Sequence, residues 1–421
     1  MNIGILSYEY PPETGFGGIG TYSYYHARAL VRLGHRVHVF AGSIRPGIFH
    51  SDHDGVVVTR VKKEGWLHRV LEPARAYKCF WFHNRAETTY AMYGAVRDAL
   101  EREALDIIEA PECGGDAAIV STLLSVPLAI RFHSPARLIM DMYQTPKLDR
   151  ELTAFVERIA INRARLRTAC SRFVADEVEA KMRVPPPIHV IPNGIDLDEF
   201  DRDEGLDIDR RFGLPPDALM VLFASRMEER KGVHLIADIA VSVMKRYGQV
   251  HFVLAGRDLF GYLADRVLPR IRSENLEDRF HVLGGLSLSE VRALLKRSNL
   301  VLLPSLWENC PYSCIEAMAA GCAIVSSDCG GMPELIVDRE NGLLARTGDP
   351  QSFVLRLEEL IEDGNRRERL GAAARRTVEE RLTDIEIARR TADLYAATLA
   401  IAPAPDISTA NATDLVENGR R

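Results

Sequence analysis

The chain has 421 residues, 47% of them apolar and 27% charged, with 53 Lys and Arg against 59 Asp and Glu for a formal net charge of −6. That length sets an expectation of about two to three domains, and the acidic balance gives no electrostatic reason to expect nucleic-acid binding. No window approaches the roughly eighteen consecutive apolar residues of a transmembrane helix. The start, MNIGILSYEY, lacks a basic n-region and turns to strand at once, so no signal peptide is expected. None of the seven cysteines forms a Cys-x-x-Cys pair. Cys310, Cys314, Cys322 and Cys329 crowd one stretch, but their spacing fits no zinc pattern, and they read as small buried thiols of a cytoplasmic protein.

Ile3 to Ser7 reads as a short apolar strand, followed by a loop from Tyr8 to about Gly18, a helix from Gly20 to Leu33 closed by Gly34, and a strand from Val37 to Phe40. The loop contains Gly15-x-Gly17-x-x-Gly20, a literal match to the dinucleotide fingerprint. These glycines stand away from the strand's own turn, and the second strand runs out through Phe40-Ala41-Gly42-Ser43 with no acid to take a ribose hydroxyl. NAD(P) is therefore not expected. Gly17 and Gly18 suit another use, in which bare backbone N–H groups approach a phosphate or a sugar closely.

Residues 60–85 are rich in bases and aromatics. Lys62, Lys63, Trp66, Arg69, Lys78, Trp81 and Phe82 fit either a surface for anionic acceptors or lipid headgroups, giving peripheral contact at the inner membrane face, or a solvated loop followed by a helix with a buried aromatic face. Strands follow at Asp106 to Ala110 and Val126 to Phe132. The second runs into His133, at the carboxyl end of a parallel strand, where an imidazole can exchange hydrogen bonds with a hydroxyl. Leu152 to Thr168 reads as a long amphipathic helix and Ile188 to Ile191 as a strand. Asn193-Gly194 is a turn dipeptide, and Asp196 to Asp217 has a linker's composition, so a domain boundary is expected near residue 192. Asp196-x-Asp198 and Asp207-x-Asp209 match a metal motif, Asp-x-Asp, but lie in acidic linker sequence, and no metal is expected.

Beyond the linker, strands read at Val221 to Ala224, His251 to Ala255, Phe280 to Leu283, Leu300 to Leu303 and Ala323 to Ser326. Helices alternate with them near Val233 to Tyr247, Tyr262 to Ser273 and Ser289 to Lys296. Such alternation means a parallel sheet covered on both faces. Arg226 and Lys231 stand just past the first of these strands, before a helix that starts at Gly232, and two cations at a helix N-terminus suit a diphosphate. After Leu303 a loop carries Glu308, and a helix from Tyr312 to Ala320, begun by Pro311 and closed by Gly321, carries Glu316 about one turn in. Two carboxylates thus flank one helix start at the carboxyl edge of a sheet, where α/β folds bind ligands.

Glu308-x7-Glu316, with Ala317-Met318-Ala319-x-Gly321 and Gly330-Gly331-x-Pro333-Glu334 after it, resembles the signature of retaining nucleotide-sugar glycosyltransferases of the GT-B, family 4 type. Ser225-Arg226-x4-Lys231-Gly232 is similar to that family's Gly-Arg-x4-Lys-Gly, and YEYPPETGFGGIGTY to its N-terminal glycine-rich loop. Pro192-Asn193-Gly194-Ile195-Asp196 resembles its domain junction. The resemblance implies an α/β GT-B fold, two Rossmann-like doubly wound parallel-sheet domains facing across a cleft. Residues 1–192 would bind the acceptor and 193–384 the nucleotide sugar, with a helix at 385–400 crossing back and a disordered tail at 401–421.

It also implies roles. Glu316 would accept the ribose hydroxyls, and Arg226 and Lys231 would neutralise the diphosphate. Glu308 and the backbone N–H groups of Cys310, Tyr312 and Ser313 would hold the sugar, His133 would stand near sugar and acceptor, and Gly17 and Gly18 would lie over the sugar-phosphate. The implied reaction is metal-independent, front-face sugar transfer with retention, to a carbohydrate, lipid-linked or small-molecule acceptor hydroxyl. A glycogen- or starch-synthase-like enzyme is the nearest alternative, although its Lys-x-Gly-Gly loop is missing; a GT-B sugar-nucleotide 2-epimerase is the alternative of another class.

Overall fold

The computed structural model describes residues 1–15, 17–45, 47–62 and 78–401. The expected tail, and Lys63, Trp66 and Arg69 of the basic-aromatic segment, lie outside the described residues.

Two sheets organise the chain. The first comprises β1 (Asn2–Ser7), β2 (Arg36–Gly42), β3 (Ile48–His53), β4 (Val56–Val61), β5 (Ile107–Pro111), β6 (Leu128–Phe132), β7 (Leu166–Ala169) and β8 (His189–Val190), in the order β3-β4-β2-β1-β5-β6-β7-β8. Only the β3–β4 hairpin is antiparallel; β1 pairs parallel on both sides, with Ile3 opposite Val37 and Ile107. The second sheet comprises β9 (Leu219–Ala224), β10 (Val250–Ala255), β11 (Phe280–Gly284), β12 (Leu300–Leu303), β13 (Ala323–Ser327) and β14 (Leu343–Ala345), ordered β11-β10-β9-β12-β13-β14 and parallel throughout. The central strands are continuous apolar runs because both faces are covered; all four residues of β12 are buried.

This topology positions the site. The first sheet grows outward from β1 through β2 and β4, then returns to build β5 to β8 on the other side; the second grows through β9, β10 and β11, then returns to build β12 to β14. The turning points are therefore β1/β5 and β9/β12, and loops at the carboxyl ends of such strands diverge and leave a crevice. The glycine-rich loop follows β1, the Arg226–Lys231 loop follows β9, and the Glu308 loop follows β12.

The chain crosses between the sheets twice, and the crossings pair. Ile195 N–H donates to Leu382 O (2.9 Å) and Asp384 N–H to Ile195 O (3.0 Å). Gly194 lies under that contact, where a Cβ would fall 2.9 Å from Asp384 Cα. The last helix, Asp384–Ala400, then returns to the first sheet's side. Ala388, Ala392 and Tyr395 are buried with Ile3, Ile5, Val37 and Val39, and Tyr395 Oη donates to Glu109 Oε2 (2.7 Å).

Three expectations need correction. The helix expected from Leu152 to Thr168 is Lys147–Arg163; Ala164 turns extended, and Leu166 to Thr168 belong to β7. The stretch from Asp196 to Asp217 is no bare linker but carries two short helices, Leu197–Asp201 and Ile208–Phe212. Its Asp-x-Asp matches are helix starts, since Asp196 and Asp207 accept N–H bonds from Glu199 and Arg210. The helix expected from Tyr262 begins as a π-helical turn, Leu263–Val267, before Leu268–Arg272. The β3–β4 hairpin turns on Asp54-Gly55, which has positive φ at both residues (55° and 79°), the signature of a tight two-residue hairpin.

Candidate active site

The loop after β9 tightens into a 3-10 turn, Glu229–Lys231, which turns Arg230 and Lys231 inward toward the loop after β12. Lys231 Nζ lies 2.5 Å from Glu308 Oε1, which also accepts from Ser305 Oγ (2.9 Å). Arg230 Nη1 donates to Trp307 O (3.0 Å) and stands 3.4 Å from Glu308 Oε2. Arg226 pairs with Glu228 (2.7 Å), whose other oxygen is 3.7 Å from Arg230. Burial works to raise the Glu308 carboxyl, but Lys231 and Arg230 outweigh it and hold it below the ordinary carboxylate range. Glu308 is an anion at neutral pH. Burial draws the Lys231 ammonium downward, and Glu308 opposes it.

Three of the expected residues thus meet in one cluster: Lys231 and Glu308 directly, Arg226 through Glu228 and Arg230. Arg230 was not anticipated. Its only signal was adjacency to Lys231, and nothing in Glu228-Glu229-Arg230-Lys231 says which side chains turn inward.

Glu316 stands elsewhere on its helix, Tyr312–Ala319. Burial pushes its carboxyl up to about 7, with Arg292 pulling the other way. Tyr25, on the first domain's helix Gly18–Arg32, feels that carboxylate and lies 5.9 Å, ring to ring, from Tyr312. The Cys310 and Tyr312 side chains serve the junction: Asn193 donates through its amide to Cys310 O (2.8 Å) and through its backbone N–H to Cys310 Sγ (3.3 Å), and Tyr312 Oη donates to Gly194 O (3.1 Å). Pro311 is the extended residue before the helix, so the Tyr312 and Ser313 N–H groups belong to the first turn, whose donors have no partner within the helix.

His133 follows β6. Its backbone N–H and that of Ser134 donate to the buried Glu112 carboxylate (2.8 and 2.5 Å), and its ring lies 5.1 Å from that of Tyr22. Burial, then Arg131 and His26, hold the imidazole well below its usual pKa, so it is neutral at pH 7. Its carbonyl accepts from the amide of Asn309, next to Glu308. The glycine loop wraps Glu9: a Cβ at Gly17 would fall 2.6 Å from Glu9 Oε2, whereas at Gly18 it would meet nothing within 4 Å. Among the described residues no three His, Cys, Asp or Glu side chains gather to hold a metal ion, and all seven cysteines are free thiols.

The family model described as Glycosyltransferase Family 4 matches residues 16–199, and that for glycosyl transferases group 1 matches residues 206–377, so between them they span both sheets apart from β1. The chain belongs to this glycosyltransferase family. The transferase is similar over 94% of its length to two curated proteins: MMP alpha-(1->4)-mannosyltransferase of Mycolicibacterium hassiacum (27% identical, 98% of that protein covered) and glycogen synthase of Mycobacterium tuberculosis (26%, 95% covered). Its fold matches sucrose-phosphate synthase from Thermosynechococcus elongatus with a TM-score of 0.75 at 20% identity, covering 95% of this chain and 99% of that one. The GT-B fold and a nucleotide-sugar glycosyltransferase activity follow. No described helix of the transferase is long and apolar enough to cross a membrane.

Proposed function

We propose that this transferase moves a hexosyl group from a nucleoside-diphosphate sugar to an acceptor hydroxyl with retention at the anomeric carbon, without a metal ion. The observation that carries this reading is the cluster in which Lys231 and Arg230 hold Glu308, and Arg226 joins through Glu228, at the crevice between β9 and β12. In the proposed step the C1–O bond to the diphosphate breaks and a C1–O bond to the acceptor forms on the same face. The acceptor's proton passes to the leaving phosphate oxygen. Charge grows on that oxygen as the bond stretches, and fixed cations in a partly buried site stabilise it more in the transition state than in the ground state.

Glu308, kept ionised by its cations, accepts hydrogen bonds from sugar hydroxyls. Neutral His133 offers one ring nitrogen as acceptor and one as donor between sugar and acceptor. The first-turn N–H groups of Tyr312 and Ser313, and the backbone at Cys310, complete the sugar's contacts. Gly17 and Gly18 cover the sugar-phosphate, and Glu316 takes the ribose.

A panel of UDP, GDP and ADP sugars, with the anomeric proton coupling of the product read by NMR and EDTA added in a parallel reaction, tests this. A product of inverted configuration, or activity abolished by EDTA and restored by a divalent ion, would refute it. A mannosyltransferase and a glycogen synthase among its relatives favour a carbohydrate acceptor; transfer onto an α-glucan would select the glycogen-synthase-like alternative, and epimerised donor formed without acceptor the epimerase. Peripheral membrane contact rests on the exposed Phe80 and Trp81 beside Lys78, and co-sedimentation with anionic but not zwitterionic vesicles is the outcome expected.

A further inference from the structure

We propose that Glu334 is a positioning residue: from the second domain it clasps a helix of the first and so fixes the loop that carries Glu308. The inference rests on Glu308 holding the donor sugar.

The helix Arg172–Met182 follows β7. The first N–H groups of any helix need partners from outside it. Here Ser171 supplies two, accepting Val174 N–H through Oγ (3.2 Å) and Ala175 N–H through its carbonyl (3.2 Å). The two remaining donors are taken from across the crevice: Arg172 N–H donates to Glu334 Oε2 (2.7 Å) and Phe173 N–H to Glu334 Oε1 (2.8 Å). One carboxylate, one oxygen per donor, thus completes the helix end, with the dipole in its favour. Neither partner can make these bonds unless the two domains stand in this arrangement.

The other end of the clasp is stiff. Glu334 sits in the short helix Met332–Leu335, directly after Gly330-Gly331. Gly331 N–H donates to Glu308 O (2.9 Å). A Cβ on Gly330 would lie 2.0 Å from Glu308 O, and one on Gly331 2.0 Å from Asn309 O. Backbone therefore presses on backbone, with no side chain between to absorb a shift. Phe173 makes a second contact from the same helix end, its ring edge-on to Trp307 at 6.2 Å, and Trp307 precedes Glu308. Asn309 reaches back to the His133 carbonyl. Domain closure and the placement of Glu308 are thereby one event. Glu334 is exposed, so the clasp adds little to overall stability.

The test uses the full chain with Glu334→Ala, Glu334→Gln and Arg172→Pro, and Arg172→Ala as control. Proline is accepted at a first helical position and removes only the N–H that Glu334 binds there. Wild-type turnover is measured first with the nucleotide-sugar panel. kcat, both KM values, melting temperature, and the small-angle X-ray scattering radius with UDP, GDP or ADP bound are then compared.

Glu334→Ala should lower kcat about tenfold, the scale of two hydrogen bonds to a solvent-exposed carboxylate, widen the nucleotide-bound radius and leave the melting temperature near wild type. Glu334→Gln and Arg172→Pro, each keeping one bond, should lose less. Arg172→Ala should match wild type, and the Glu334→Ala/Arg172→Pro double variant should be no worse than Glu334→Ala. Wild-type kcat and radius in Glu334→Ala would overturn the proposal, as would a loss that Arg172→Pro does not share. A wild type that turns over no nucleotide sugar would instead count against the assigned function, and the scattering comparison would still judge the clasp.

Discussion

Replacing Lys231 by alanine tests the centre of the site, because it separates a structural cation from a catalytic one. The ammonium is 11% exposed and 2.5 Å from Glu308, whose carboxylate would then keep, among the described residues, Arg230 at 3.4 Å and Ser305 at 2.9 Å. Removing one partner of a buried ion pair costs roughly 3–5 kcal/mol. With those two groups remaining, about 3 kcal/mol is expected, a melting-temperature loss of roughly 6–12 °C for a domain of this size. If Lys231 also bears the charge growing on the leaving diphosphate, kcat should fall further than instability explains, by about 10²–10³.

The Lys231→Ala/Glu308→Gln double variant isolates the structural effect, since Glu308 is itself assigned to the sugar and the catalytic effect is read from Lys231→Ala alone. Deleting both charges removes the uncompensated carboxylate, so stability should recover, while kcat should not. Thermal unfolding and initial rates at saturating donor, below the variant's melting point, read the two quantities. If Lys231→Ala keeps kcat within about threefold of wild type, a difference below ~0.7 kcal/mol, while its stability falls, the lysine is a structural counter-ion and the catalytic assignment fails.

Arg226→Ala removes a half-exposed guanidinium paired with Glu228, so it should leave stability within about 0.5 kcal/mol but weaken donor binding more at low salt than at high; equal loss at both salt levels would argue against diphosphate contact. Gly330→Ala should destabilise by about 1–3 kcal/mol in denaturant unfolding, since Gly330 has φ of 54° and a Cβ there would lie 2.0 Å from Glu308 O, whereas Gly18→Ala, with nothing within 4 Å, should fold like wild type and show its effect only in donor KM. Burial raises the Glu316 carboxyl from 4.5 to about 7, so the folded state holds a proton there that the unfolded chain has released. The cost to stability is absent below about pH 4.5, grows toward pH 7 and stays constant above it; Glu316→Gln should therefore gain on wild type in melting temperature as pH rises through that window, and a gap that does not change with pH would remove Glu316 as a buried acid.

Much of the candidate site was legible because the residue types proposed to carry its chemistry stand at short spacings within single loops. Ser225-Arg226-x4-Lys231 and Glu308-x7-Glu316 each follow one strand, so placing β9 and β12 placed them too. What spacing could not show is anything that depends on two segments distant in sequence. Asn309 sits between two residues of interest, but only the structure brings its amide to the His133 carbonyl. Glu334 was part of a recognised motif, yet its partners are backbone N–H groups some 160 positions earlier, which leave no mark in side-chain identity. The Asp-x-Asp pairs show the converse, since Asp196 and Asp207 occur where they do because a short carboxylate at a helix start takes the free N–H groups there.

The charge arrangement of the cluster also bears on how the proposed roles would divide among its cations. Three cations, Arg226, Arg230 and Lys231, face two carboxylates, Glu228 and Glu308, which leaves one positive charge in surplus before any donor arrives. Lys231 and Arg230 are 11% and 8% exposed and tied to the Glu308 loop, so their positions are set in advance and cost no reorganisation when charge develops. Arg226 is 53% exposed, and its pair with Glu228 is of the kind worth about 0–1 kcal/mol. A diphosphate carries more charge than one carboxylate and offers two-pronged acceptors to a guanidinium, so exchanging Glu228 for it is favourable. On the proposed function, Arg226 would be the cation that moves to capture the donor, and Lys231 and Arg230 the ones already in place for the step that follows.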